Sequence, residues 1–304
     1  MFGSTAVYAN LEQTYQRDGR ELRLLVDDSV PDKQQDDILR WIDVIADSMA
    51  SVFGHWPRRH LEVRVVSYQS AGNDPVPWAQ VNRGDQNPDS PNVVSFYVDP
   101  GADFTRLAQN WTAYHEFSHL LIPYRGWGDM WFSEGLASYY QNLLQARSGI
   151  FDEREMWQRL HDGFVRGRDN KRPDMTLAEL SPSMREHRSY MRVYWSGAWY
   201  FFRADTELRS RSGGTQSLDT ALAALNECCA DMRLLAREIA SRLDQLSGEA
   251  VFLPLFDQVA ASYGLPAFEA LYRELGIGID ASGTVTLQPS HPQAPLRRAI
   301  AAGS

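Results

Sequence analysis

The sequence predicts an α+β protein: an N-terminal mixed α/β sheet lobe followed by a mostly helical C-terminal lobe. Three observations predict this. Runs in the first hundred residues switch between a period of two and a helical period. From residue 103 the helical period persists through most of the chain. The 304 residues are 43% hydrophobic and 23% charged, a globular balance with enough apolar material for two lobes.

The elements follow in order. "RELRLLVDD" (20–28) alternates apolar and polar residues, as a half-buried strand does. A helix is expected over 33–53, where Ile38, Trp41, Ile42, Ile45, Ala46, Met49 and Val52 recur at helical spacing. "HLEVRVVSY" (60–68) is a second strand, with Leu61, Val63 and Val65 on one face. "VPWAQVNRG" (76–84) opens with prolines and suits an edge strand. "NVVSFYVDP" (92–100) is strongly β-prone, and "DQNPDSPN" (85–92) before it reads as a polar loop.

From residue 103, Asp103 or Thr105 can cap a helix carrying Phe104, Leu107, Ala108, Trp111, Tyr114, Phe117 and Leu121, which Pro123 ends. Ser133 can cap the next helix, with Leu136, Tyr140, Leu143 and Leu144 inward and Gly149 as its stop. Further helices are expected near 152–165, 176–180, 188–212, 217–225, 230–244, 250–263 and 266–274. The Pro-punctuated tail from residue 282 is expected to be loosely held. The natural division is an α/β lobe over 1–124 and a helical lobe over 125–304.

Charge and cysteine usage remove several classes of function. A net charge of −9 gives no basic field for phosphate backbones, so nucleic-acid binding is not expected. The short basic runs "PRRH" (57–60) and "GRDNKR" (167–172) read as solvated surface. The only cysteines, Cys228 and Cys229, are neighbours, too close for the ordinary disulfide, and are expected to be reduced helix residues. The start, "MFGSTAVYANLEQTYQ", lacks a cationic and apolar leader, and no apolar run reaches membrane-spanning length. A soluble protein without membrane insertion is expected, cytoplasmic or exported by a leader outside this sequence; oligomeric state is left open.

The chemistry concentrates in "WTAYHEFSHLLIPYRGWGDMWFSEGLASYYQ" (111–141). Residues four apart on a helix project from nearly one direction, so His115 and His119 can share one zinc ion. Glu116 then stands beside the metal as a candidate base. A catalytic zinc takes three protein ligands and keeps one position open, and Glu134, at the head of the next helix, can be the third. The other histidines, His55, His60, His161, His187 and His291, have no partner at ligand spacing.

"HEFSH" followed by "WGDMWFSEGLASYY" resembles the gluzincin zinc metallopeptidases, and most of all the glycyl aminopeptidase family. A second phrase, "YWSGAWYFFRADTELRSRSGGTQSLDTAL" (194–222), is similar to that family's Tyr-x-x-Gly helix and Gly-Gly…Ser-Leu-Asp turn. The resemblance implies a thermolysin-like gluzincin catalytic unit that hydrolyses peptide bonds of peptide or protein substrates with a zinc-activated water. It makes His115, His119 and Glu134 the zinc ligands, Glu116 the general base and Tyr194 the oxyanion donor, with Tyr190 as the alternate. Three features depart from the family pattern. The stretch 120–133 is short, Ser138 and Gln141 stand where relatives often carry an acid, and Val81 or Gln80 stands where an acid would hold a substrate amine. The residues therefore also suit a catalytically weak or inactive peptidase-like binding protein on the same scaffold, or a zinc hydrolase of other bonds.

Overall fold

A computed structural model describes residues 9–70, 72–83, 91–170 and 172–303. The N-terminal part holds a five-stranded sheet built from β1 (Ala9–Arg17), β2 (Arg20–Asp27), β3 (His60–Ser67), β4 (Trp78–Asn82) and β5 (Asn92–Val98). The strand order is β1-β2-β3-β5-β4. Helix α1 (Asp32–Phe53) joins β2 to its parallel neighbour β3, which lies parallel to β5. The edge strand β4 pairs antiparallel with β5. The alternation expected in β3 is realised: Leu61, Val63 and Val65 are buried. "DQNPDSPN" falls mostly on residues 84–90, outside the described residues.

Strand β1 is an addition to the sequence reading. Its residues are mostly polar, so periodicity gave no signal. The local signal is the Asp18-Gly19 pair, whose φ values of 50° and 70° make the two-residue turn that hairpins favour.

The mostly helical part that follows the sheet holds α2 (Phe104–Gln109), α3 (Thr112–Ser118), a 3₁₀ turn (His119–Leu121), α4 (Met130–Arg147), α5 (Glu153–Asp169), α6 (Leu177–Leu180), α7 (Tyr190–Arg211), α8 (Leu218–Cys229), α9 (Ala236–Ser247), α10 (Phe252–Ala260) and α11 (Glu269–Glu274). Phe96 of β5 ties the sheet to α3: its ring packs on Trp41 of α1 at 5.1 Å and stacks on Phe117 of α3 at 5.9 Å. The sheet core therefore fixes the helix that carries the histidines.

Helices α4 and α7 cross at the centre of this helical part. A Cβ on Gly135 would lie 2.3 Å from the Gly197 backbone, and one on Gly197 would lie 1.8 Å from the Trp131 carbonyl oxygen. A buried charge network holds the far ends of these helices. Arg147 pairs with Asp219 at 2.9 Å and Arg209 with Asp205 at 2.8 Å, while Tyr139 and Tyr140 donate to Asp205 and Asp219. Such charges tolerate burial only because each has a partner.

Several expectations are corrected. The single helix expected from Asp103 or Thr105 to Leu121 is broken at Asn110, which adopts extended geometry and accepts the Thr112 amide at 2.8 Å. Helix α4 starts three residues before Ser133, so Ser133 lies inside the helix and does not cap it. The tail is ordered: β6 (Ile277–Ile279) pairs with β7 (Val285–Leu287), and α12 (Ala294–Ala302) docks on the body. Arg297, 2% exposed, donates to Glu153 and to the carbonyls of Leu275, Gly276 and Gln288. Arg58 of "PRRH" is buried, its guanidinium donating to the carbonyls of Ala230 and Ile122. Cys228 and Cys229 are bonded to each other, with Cα atoms 3.7 Å apart. The distance argument applies to the common disulfide and does not cover the small ring that neighbours can close.

Candidate active site

Asn110 ends α2, and α3 restarts in a new direction with His115 in its middle. His119 opens the 3₁₀ turn with φ −60° and ψ −21°, still helical, so the two imidazoles stay on one face. Their ring centroids are 4.9 Å apart. The turn after Pro123 carries the chain back so that α4 meets α3, and Glu134 enters between the rings. Its Oε2 is 3.1 Å from His115 Nε2 and 3.7 Å from His119 Nε2. Among the described residues these three form the only group of His, Cys, Asp or Glu side chains able to hold a metal ion, with ligand atoms within 4.8 Å of one another.

The surrounding hydrogen bonds show what this group can hold. His115 Nδ1 lies 2.9 Å from Gln141 Oε1, and an amide oxygen only accepts, so Nδ1 carries the hydrogen. Nε2 then turns a lone pair toward the Glu134 carboxylate. Nε2 and the carboxylate oxygen, 3.1 Å apart, are close enough to ligate one cation, or to share a proton when none is bound. Ligand atoms bound tetrahedrally at zinc distances lie about 3.3 Å apart, so this donor set fits zinc. His119 Nδ1 is held at 3.0 Å by Ser133 Oγ. Gln141 thus touches an imidazole as the sequence position suggested, while the second partner is Ser133 and not Ser138.

Electrostatics divides the carboxylates. Burial pushes Glu116 up to about 7, a rise that the His115 charge only partly offsets. Burial would also raise Glu134, but the charges of His119 and His115 and the His115 hydrogen bond bring it down to about 2. Burial lowers His119 to about 3. It acts in the same direction on His115, where the Glu134 hydrogen bond and charge overcome it and leave the ring raised.

Tyr194 of α7 stacks on His115 with centroids 5.9 Å apart. Burial, then the Glu134 charge and hydrogen bond, hold its phenol well above the usual value, so it stays a donor. Tyr190, one turn earlier and 38% exposed, meets Tyr194 edge-on at 6.4 Å. The Gly135–Gly197 approach explains this geometry. It brings Glu134, one residue before the first glycine, beside Tyr194, three residues before the second.

Two neighbours escaped sequence reasoning. Ser133, next to a ligand, was read as a cap. Arg83, just past β4, donates to Ser133 Oγ at 2.9 Å and to the His119 carbonyl at 3.2 Å, a contact across 36 residues that no local pattern reveals. The remaining histidines lie elsewhere: His55 beside Arg20, His161 against Phe268 and Tyr272, His187 beside Arg172, with His60 exposed and His291 near the C-terminal helix.

A family profile described as M61 glycyl aminopeptidase matches residues 126–200, a segment containing Glu134 and Tyr194. An aminopeptidase N family protein from Idiomarina loihiensis superposes with a TM-score of 0.62 at 15% identity, covering 93% of this chain and 53% of that one. An M1 zinc metallopeptidase from Deinococcus radiodurans gives 0.53 at 16% identity, covering 84% and 52%. The chain shares the fold of these two solved structures. A variant of the Deinococcus radiodurans enzyme bound to a Tyr-Ser-Ala substrate gives 0.54 at 15% identity, with 84% and 53% coverage. The chain spans about half the length of these solved structures. No curated protein matches its sequence. The gluzincin resemblance carried by "WFSEG" and "YWSG" thus holds in fold as well as in sequence, and the matched segment begins after the two histidines. No helix among the described residues is long and apolar enough to cross a membrane.

Proposed function

We propose that this protein is a zinc-dependent metallopeptidase in which His115, His119 and Glu134 hold the ion and Glu116 is the general base. The carrying observation is the His-His-Glu convergence, with a second carboxylate and a phenol beside it, on a fold shared with zinc peptidases. Zinc, when bound, supplies Lewis acidity that polarises the scissile carbonyl and makes water a competent nucleophile near neutral pH. Gln141 and Ser133 hold the two rings with their Nε2 atoms toward Glu134. Glu116, raised to about 7, is suited to take the proton of the attacking water and return it to the leaving amine. Tyr194 donates a hydrogen bond to the carbonyl oxygen as it gains charge.

Strand β4 supports the peptide part of this reading. It has one strand neighbour among the described residues, so its outer edge offers backbone groups to an extended peptide. Its half-buried positions Ala79 and Val81 face α3, while Trp78, Gln80 and Asn82 are exposed.

A peptidase-like binding protein of little or no turnover is the second reading, favoured by the neutral partners Gln141 and Ser133, which hold a zinc-bound imidazole less firmly than a carboxylate does. Metal analysis and mass-spectrometric profiling of a mixed peptide pool, with wild type and Glu116→Gln, separate the two. Stoichiometric zinc with cleavage that Glu116→Gln abolishes supports the peptidase. Zinc without cleavage supports the binding protein, and cleavage unchanged by the substitution removes the mechanism.

A further inference from the structure

Helix α8 ends on Cys229, and the bond from Cys228 to Cys229 closes its last turn. Side chains of consecutive helical residues diverge by about 100° around the axis, so without the bond these two would point apart. Cys228 is exposed, whereas Cys229 is only 3% exposed. A cavity of about 280 Å³, walled by both cysteines with Arg20, Arg58, Asp231 and Met232, lies beside them. A small reductant can therefore reach one sulfur from solvent while the other stays inside.

The residues after the pair brace the turn of the metal site. Arg58, 6% exposed, donates through Nη1 to the Ala230 carbonyl and through Nη2 to the Ile122 carbonyl at 3.1 Å. The Leu234 amide donates to the Pro123 carbonyl at 3.0 Å, and the Arg125 amide donates to the Leu234 carbonyl at 2.7 Å. Ile122, Pro123 and Arg125 lie on the connection from His119 to Glu134. They are tied, directly or through one guanidinium, to residues 230–234. On the other side of the pair the Asn226 side-chain amide donates to the Pro57 carbonyl at 2.9 Å. That anchor fixes α8 about one turn before the cysteines, so a change at the pair passes forward into the brace.

We propose that Cys228–Cys229 is a thiol-exchange site coupled to the metal centre: a dithiol reductant opens it, loosens residues 230–234 and weakens the hold on zinc. This rests on the zinc reading of His115, His119 and Glu134. A thiolate of the reductant attacks the exposed Cys228 sulfur, and Cys229 leaves as a thiolate that takes up a proton. The reductant's second thiol then displaces Cys228 and closes the reductant's own disulfide. Two electrons and two protons pass to the protein. With the bond gone, Cys229 and Ala230 gain conformational freedom, and the groups of the brace meet their partners for a smaller share of the time. Coupling between two sites is reciprocal, so bound zinc resists the reduction by the same factor.

The test compares two redox states of the unmodified protein. Protein purified without reductant is divided; one half is reduced with a water-soluble phosphine, which takes its oxygen from water to become the phosphine oxide, and is then freed of it under inert gas. Thiol counting after denaturation should find none in the first half and both cysteines in the second. In zinc-free protein the amides of Arg125 and Leu234 are expected to exchange hydrogen about fivefold faster or more after reduction. Zinc affinity, measured by chelator competition, is expected to fall by about fivefold or more. The double variant Cys228→Ser, Cys229→Ser should match the reduced protein and ignore the phosphine. Free thiols that oxidised glutathione fails to join, equal exchange in the two states, or equal zinc affinity overturns the proposal. If neither state binds zinc, the metal reading fails on its own, and the exchange rates still decide whether the pair governs the turn.

Discussion

Gly135 and Gly197 touch backbone to backbone where α4 crosses α7, and a methyl group on either would overlap main-chain atoms of the other helix. The contact lies one residue from a proposed zinc ligand and three from the proposed oxyanion donor. Gly197→Ala should therefore destabilise the protein by about 1–3 kcal/mol or more, since rigid backbone cannot yield as a flexible side chain can. It should also weaken zinc binding by moving Glu134. Denaturant unfolding and chelator competition check both effects; an alanine variant of native stability would mean that the helices stand farther apart.

Removing a ligand should abolish the metal site, while removing a partner should only weaken it. His115→Ala and Glu134→Ala are expected to lose stoichiometric zinc. Gln141→Ala, which frees the His115 ring, is expected to cost about 10–100-fold in zinc affinity. Competition with a chelator of known affinity measures both.

Tyr194→Phe takes away one donor without changing shape. If the phenol stabilises the oxyanion, kcat should fall by about 10²–10³-fold with zinc content unchanged. Tyr190→Phe, on the exposed side of that ring, should have a much smaller effect. The reverse ranking in steady-state kinetics would exchange the two roles.

Arg297 gives a prediction far from the site. Its guanidinium serves one carboxylate and three carbonyls under α12. Arg297→Met should destabilise by about 2 kcal/mol or more, because the buried Leu275 and Gly276 carbonyls lose their donor. Thermal unfolding measures this, and peptidase activity at low temperature should be retained.

The legible parts of the sequence were those where one face of an element meets water and the other meets the core. The alternation of β3 and the apolar stripe of α1 report that contrast directly, and both lie where periodicity places them. The metal-site residues were legible for another reason: two imidazoles on one helix can share an ion when they stand one turn apart, a spacing that the sequence displays. What failed was long-range or unusually local. Strand β1 turns only Leu11 and Tyr15 toward the core, too few for its alternation to stand out beside the Asp-Gly turn. Asn110 breaks a helix whose apolar periodicity runs on without interruption, because its side chain outbids the backbone for the Thr112 amide. The tail docks through Arg297 and Ile300, and the Arg83–Ser133–His119 chain likewise joins residues that only folding brings together.

The brevity of β4 carries a consequence of its own. An open sheet edge is an invitation to any extended chain, including another copy of the same protein, and long flat edges seed aggregates for that reason. Five residues, three of them with solvent-facing side chains, give enough rungs to grip a short visitor and too few to nucleate a growing ribbon. If β4 takes peptides as proposed, its shortness limits how far a second copy of the chain can pair along the same edge.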